Sequence, residues 1–132
     1  MGNNLLGRSN THIFGVADGH GKYGREIAST ANLMFPTIVE AKLRQDDMKQ
    51  VLANSFHTLN MDVRAIHTTK SDFSGTCLCT VTVKGRTLYA ANVGDSRAIL
   101  IGANEILQLT RQQRPDDPFE LARIKLSGGR VL

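Results

Sequence analysis

The spacing of hydrophobic positions changes along the chain, and each change marks an element. Ile13 to Ala17 is a short apolar run interrupted only by Gly15. It reads as a buried strand from His12 to Ala17. Asp18-Gly19-His20-Gly21 follows at once, and such a stretch marks a strand end aimed at solvent or at a ligand. A helix is expected from about Tyr23 to Met34, broken or restarted at Pro36, with a second piece to about Arg44. Asp46 or Asp47 then suits the N-cap of a longer helix. Its apolar positions Met48, Leu52, Phe56, Leu59, Val63 and Ile66 form the stripe of an amphipathic helix lying on a core.

From Thr76 the period becomes two. Cys77, Cys79, Val81 and Val83 share one face of a strand, and Thr76, Leu78, Thr80 and Thr82 share the other. Lys84-Gly85 suits a hairpin turn, with Thr87 to Val93 returning. Gly94-Asp95 turns again into a strand from Arg97 to Ile101, and Gly102 to Asn104 leads to a last strand, Glu105 to Leu109. Turns this short predict antiparallel neighbours in one sheet. A final helix starts at Asp117 as cap, Pro118 in the first position and Glu120 three after the cap, and ends at Gly128-Gly129. The pattern is α+β. Residues 1–11 are polar and read as a flexible N-terminus ahead of a single unit, 12–132.

Length and composition narrow the function classes. A chain of 132 residues suits one domain and can bury a core. No apolar run approaches the ~18 residues of a membrane span. Met1 to Asn10 lacks the apolar stretch of a secretory signal, and Leu6 stands where a myristoylation signal wants Ser or Thr. The net charge of +4 hints at an anionic partner, but the basic residues are scattered from Arg8 to Arg130 and there is no Trp. No nucleic-acid partner is therefore expected. Cys77 and Cys79, two apart in a strand, have near-parallel Cβ vectors that disfavour a bridge between them. Both read as thiols in a reducing compartment, cytoplasmic or nuclear.

Gly19, Gly21 and Gly24 spell G-x-G-x-x-G after a strand. A dinucleotide site is rejected, because Asp18 would set a carboxylate against the pyrophosphate and no acidic strand end arrives ~20 residues later. The segment reads better as a metal site. Asp18 offers carboxylate oxygens and Gly19 a carbonyl, hard donors suited to Mg²⁺ or Mn²⁺. His20 beside them can serve as a general acid. A plainer reading stays open at this point: Asp18 caps the following helix and His20 is a surface turn residue.

Phe14-Gly15-Val16-Ala17-Asp18-Gly19-His20-Gly21 resembles the F-G-V-x-D-G-H-G segment of metal-dependent protein serine/threonine phosphatases of the 2C type. Ser74-Gly75-Thr76, Ala91-Asn92-Val93-Gly94-Asp95-Ser96-Arg97-Ala98 and Gly128-Gly129-Arg130-Val131 resemble later motifs of that family, in the same order. The resemblance implies a layered α-β-β-α sandwich of antiparallel sheets with outer helices, of which 12–132 is the N-terminal to middle part. It implies hydrolysis of phosphoserine and phosphothreonine in phosphoprotein substrates, with two Mg²⁺ or Mn²⁺ ions and a water bridging them. It also implies that Asp18 bridges both metals, that the Gly19 carbonyl binds one, and that His20 protonates the leaving oxygen.

The departures from the family bear on activity. No acidic residue lies in Met1 to Thr11, where the family carries ligands and a phosphate-holding Arg. The usual Asp-His before the basic residue and Pro is Gln112-Gln113. Asp95 reads as fixing a turn near Arg97, Asp116 and Asp117 as helix caps, and His57 and His67 as non-catalytic. The chain alone is therefore expected to be weak or inactive. The alternative is a truncated or degenerate phosphatase-like module that only binds partners. Self-association is expected through a sheet face left uncovered.

Overall fold

The computed structural model describes residues 2–4, 10–43 and 47–131. Four strands form one antiparallel sheet in the order β1-β2-β3-β4: β1 is Gly2–Asn4, β2 Thr11–His20, β3 Gly75–Lys84 and β4 Thr87–Val93. Within the stretch expected to be flexible, Gly2–Asn4 pairs with β2, Gly2 opposite Phe14, and Thr11 opens β2. Two helices, α1 (Gly24–Lys42) and α2 (Met48–His67), cover one face of the sheet, and a 3₁₀ turn, Thr68–Asp72, leads from α2 to β3.

The core lies between the helices and that face. Ile27, Ala31, Phe35 and Val39 recur every fourth residue of α1 and are buried against Met48, Val51, Leu52, Leu59 and Val63 of α2, with Ile13 and Leu78 from the sheet. The Phe35 and Phe56 rings meet at 4.7 Å between centroids, tilted by 54°. Asp47 caps α2, its Oδ1 accepting from the Lys49 N–H at 2.9 Å; the other candidate, Asp46, lies outside the described residues.

Two expectations about the helices are corrected. α1 does not stop at Met34 or restart at Pro36 but runs unbroken through the proline. Losing one backbone hydrogen bond and crowding a turn costs about 3 kcal/mol. Burying Phe35 and Val39 completely on either side offsets that, since each such side chain contributes roughly 1.5–3 kcal/mol. In α2 the stripe ends early: Ile66 is exposed beyond the last buried residue, Val63, while Val51 and Ser55 are buried.

The strands after β4 also differ from expectation. Among the described residues, β5 (Ile99–Ile101) and β6 (Ile106–Gln108) pair only with each other, as a separate two-stranded ribbon. Gly94 to Ala98 turns away from β4 because its backbone is bonded to the segment that follows the ribbon. Gln113 N–H donates to the Gly94 carbonyl at 2.9 Å, and Ala98 N–H donates to Thr110 Oγ1 at 2.9 Å. The last helix, α3 (Pro118–Leu126), starts where the sequence places it. Asp117 Oδ1 accepts from the Phe119 and Glu120 N–H groups. Arg111, bonded to both Asp117 oxygens, and the two cap bonds hold its carboxyl below the usual carboxylate range.

The helix side of β3 carries Leu78, Thr80 and Thr82, all buried. The opposite face is uncovered in part. Phe14 is 51% exposed, Val16 61% and Leu88 40%. They stand beside Val81, Cys79 and Val83 of the adjoining strand through the register of the sheet. Cys79 itself is buried on this face, close to Thr110.

Candidate active site

Asp18, Gly19 and His20 are the last three residues of β2, all exposed at one end of the sheet. They remain in the strand rather than in a loop, paired with Cys77, Thr76 and Gly75 of β3. Alternation places Asp18 and His20 on one face and Gly19 on the other, toward α1. There is no room for a side chain at Gly19: a methyl there would lie 2.1 Å from the Gly24 carbonyl oxygen. A methyl on Gly24 would lie 2.6 Å from the Gly19 carbonyl carbon. The glycine pattern thus serves a close backbone crossing of β2 over the start of α1.

Ser74 and Gly75 support this strand end. Ser74 Oγ accepts from the Tyr23 N–H at 3.1 Å, tying the β2–α1 turn to β3. The His20 imidazole lies across Gly75, where a methyl would come within 2.8 Å of Nε2. Outside the turn, Lys70 Nζ bonds Glu26 at 2.6 Å and sits over the Tyr23 ring. That bond to Lys70 is the main reason the Glu26 carboxyl is lowered from its ordinary value. His67 Nε2 meets Thr30 Oγ1 at 2.9 Å, a tie between α2 and α1.

The second wall comes from the far half of the chain. Cys77 Sγ donates to Asp95 Oδ1 at 3.3 Å. Burial pushes the Cys77 thiol up, so it stays protonated as a donor. Gly94, at φ +96, leaves no space for a side chain, since a methyl would fall 2.3 Å from Cys77 Sγ. Asn92 Nδ2 donates to the carbonyls of Gly94, Ser96 and Arg111. Gly94 N–H donates to Gln113 Oε1 at 2.7 Å, and Gln112 Nε2 donates to the Asp95 carbonyl. The glutamines that replace the expected Asp-His pair therefore lock the Gly94-Asp95 turn to the segment before α3. Sequence reasoning missed this role, although a glycine-containing turn beside consecutive amides is the signal that could have suggested it.

These walls enclose an open cavity of about 560 Å³, lined by Asp18 and His20 on one side and by Asp95, Gln113, Arg114 and Asp116 on the other. One reading is corrected here: of the two residues expected as helix caps, Asp117 alone caps α3, and Asp116 lines the cavity. The Asp95 carboxylate accepts from Cys77, which ties its turn to β3, and Asp95 is also part of the cavity lining. Asp116 instead takes an ion pair from Arg114, Nε to Oδ1 at 3.2 Å, with both side chains exposed. Such pairs are weak in water. Oxygen donors match a hard divalent cation in kind. In number they fall short: among the described residues no three His, Cys, Asp or Glu side chains stand close enough to hold one ion.

The protein phosphatase 2C family model matches residues 1–132. The chain belongs to the protein phosphatase 2C family. It is 36% identical over 135 residues to "Probable protein phosphatase 2C 35" of Arabidopsis thaliana, covering 97% of this chain and 38% of that protein. It is 32% identical to "Probable protein phosphatase 2C T23F11.1" of Caenorhabditis elegans, covering 90% of this chain and 33% of the relative. The chain thus spans about a third of the length of these protein phosphatase 2C relatives. Among solved structures, a serine-threonine phosphatase 2C from Toxoplasma gondii superposes with a TM-score of 0.78 at 20% identity, over 96% of this chain and 48% of the other. A sex-determining protein of C. elegans superposes with a TM-score of 0.81 at 22% identity, over 92% of this chain and 31% of the other. The α+β arrangement of helices over antiparallel strands is that of the protein phosphatase 2C fold.

Proposed function

We propose that the Asp18 cavity is one part of a two-metal site for hydrolysing phosphoserine and phosphothreonine in protein substrates. The observation that carries this is the convergence of Asp18, His20, Asp95 and Arg114 on one cavity, in a chain of this family. Asp18 and the Gly19 carbonyl would supply two of the oxygen ligands to Mg²⁺ or Mn²⁺, too few to hold the ion alone. A metal held there would supply Lewis acidity toward phosphoryl oxygens and would ease loss of the proton from the water that attacks phosphorus. His20, exposed at the strand end and lying across Gly75, would give a proton to the leaving serine or threonine oxygen. Both thiols are free, which suits a cytoplasmic or nuclear setting. Among the described residues no helix is long and apolar enough to cross a membrane.

The test is release of phosphate from a phosphothreonine peptide by this chain, with added Mn²⁺ and with a chelator. Slow, Mn²⁺-dependent release is expected. Peptide binding with no release above the chelator blank would reject the enzyme reading in favour of the degenerate, binding-only module.

We further propose that the chain associates with itself through the uncovered sheet face. Phe14 and Val16 of β2 and Leu88 of β4 expose apolar surface on either side of β3, of the kind that soluble monomers seldom leave open. Light scattering is expected to show oligomers that dissociate when Phe14 and Val16 are both replaced by Thr, a residue that keeps strand propensity. A monodisperse wild-type monomer would refute this.

A further inference from the structure

We propose that Arg114 receives the substrate's phosphoryl oxygens in this cavity, exchanging its bond to Asp116 for the phosphate. The proposal rests on the reading of the cavity as a phosphoester site, and it assigns the anion-holding role to a residue of this chain. Three carboxylates, Asp18, Asp95 and Asp116, line the cavity and repel a phosphate dianion. Among the described residues, Arg114 is the one Lys or Arg lining it.

The guanidinium is well suited to the exchange. Its contacts with Asp116 are loose, 3.2 Å from Nε to Oδ1 and 3.5 Å from Nη2 to Oδ2, and 57% of the Arg114 side chain is exposed. A planar fork of N–H donors matches two phosphate oxygens as well as it matches a carboxylate, and a dianion attracts it more strongly. The backbone from which the side chain springs is fixed. Its carbonyl accepts from Asp117 N–H at 2.9 Å, and the preceding Gln113 is bonded to Gly94 through both backbone and side chain. A movable head on an anchored stem thus lines the same cavity as Asp18 and His20, and with Asp116 it also borders the neighbouring opening beside Arg111. Asp116 occupies that head when substrate is absent.

The experiment is a ³¹P NMR titration of inorganic phosphate with this chain in metal-free, low-salt buffer, where neither turnover nor a bound metal contributes. Saturable binding is expected, weakened about tenfold or more in Arg114→Ala and only partly in Arg114→Lys. Asp116→Asn is expected to tighten it severalfold, because it frees the guanidinium and removes one repelling charge. Opposite effects from two neighbouring surface residues cannot come from a general loss of folding. Absence of saturable binding in wild type, wild-type affinity in Arg114→Ala, or no gain in Asp116→Asn would each overturn the proposal. Because no hydrolysis is read, these results stand apart from the phosphate-release assay: either can fail alone.

Discussion

Asp18→Asn is expected to abolish Mn²⁺-dependent phosphate release. Asn keeps the shape of the side chain and removes its charge. Asp18 is exposed at the end of a strand, so the packing of the sheet does not depend on it. What the substitution removes is the negative charge offered to a hard cation from the rigid end of β2, and an amide oxygen is a far poorer ligand than a carboxylate. His20→Ala should be milder, a loss of about 10²–10⁴-fold, the usual range for general acid help. Steady-state kinetics on a phosphothreonine peptide, with thermal melts of each variant, provide the check. Full activity in Asp18→Asn with an unchanged melt would remove Asp18 from the site.

Elements fixed by local periodicity were legible in the sequence. The four-residue spacing in α2, the two-residue alternation in β3 and the Asp117-Pro118 start of α3 all have causes within a few residues, and the structure shows all three. The failures came where distant residues decide. Pro36 signals a break to any local rule, but Phe35 and Val39 are held in a core built largely by α2, and that packing outweighs the proline. The Gly94-Asp95 turn reads as a hairpin leading to a third neighbouring strand. Its backbone is instead captured by Gln112 and Gln113, and the chain leaves the sheet.

The site divides in the same way. Asp18, Gly19 and His20 are contiguous, so one motif exposes one wall. Asp95, Arg114 and Asp116 form the other wall only because Cys77, across from Asp18 in the sheet, bonds Asp95, and because two glutamine side chains hold that turn to the segment before α3. No periodicity encodes such contacts. The glycines were visible as a pattern and easily given the wrong cause. Their phosphate-loop spacing reflects backbone crossing backbone at Gly19 and Gly24, a steric demand with no ligand in it.

That steric demand gives the second large expected effect. Gly19→Ala should destabilise the fold by about 3 kcal/mol or more, at or beyond the upper end of ordinary overpacking. The new methyl would meet the Gly24 carbonyl oxygen at 2.1 Å and its carbon at 2.4 Å, both backbone atoms of the first residue of α1. No rotamer change relieves such a contact. Either α1 moves off the sheet or the end of β2 bends away. Moving α1 opens the packing of Ile27 on the sheet, and bending β2 displaces Asp18 and His20 together. Gly102→Ala is the matched control, because a methyl there meets its nearest atoms at an ordinary 3.5 Å. It should be neutral or slightly stabilising through the unfolded chain. In thermal melts the Gly19 variant is expected to unfold roughly 10 °C or more below the control, given a few degrees per kcal/mol for a domain of this size. If the two melt within a degree or two of each other, the close crossing of β2 over α1 is not what fixes the geometry of the site.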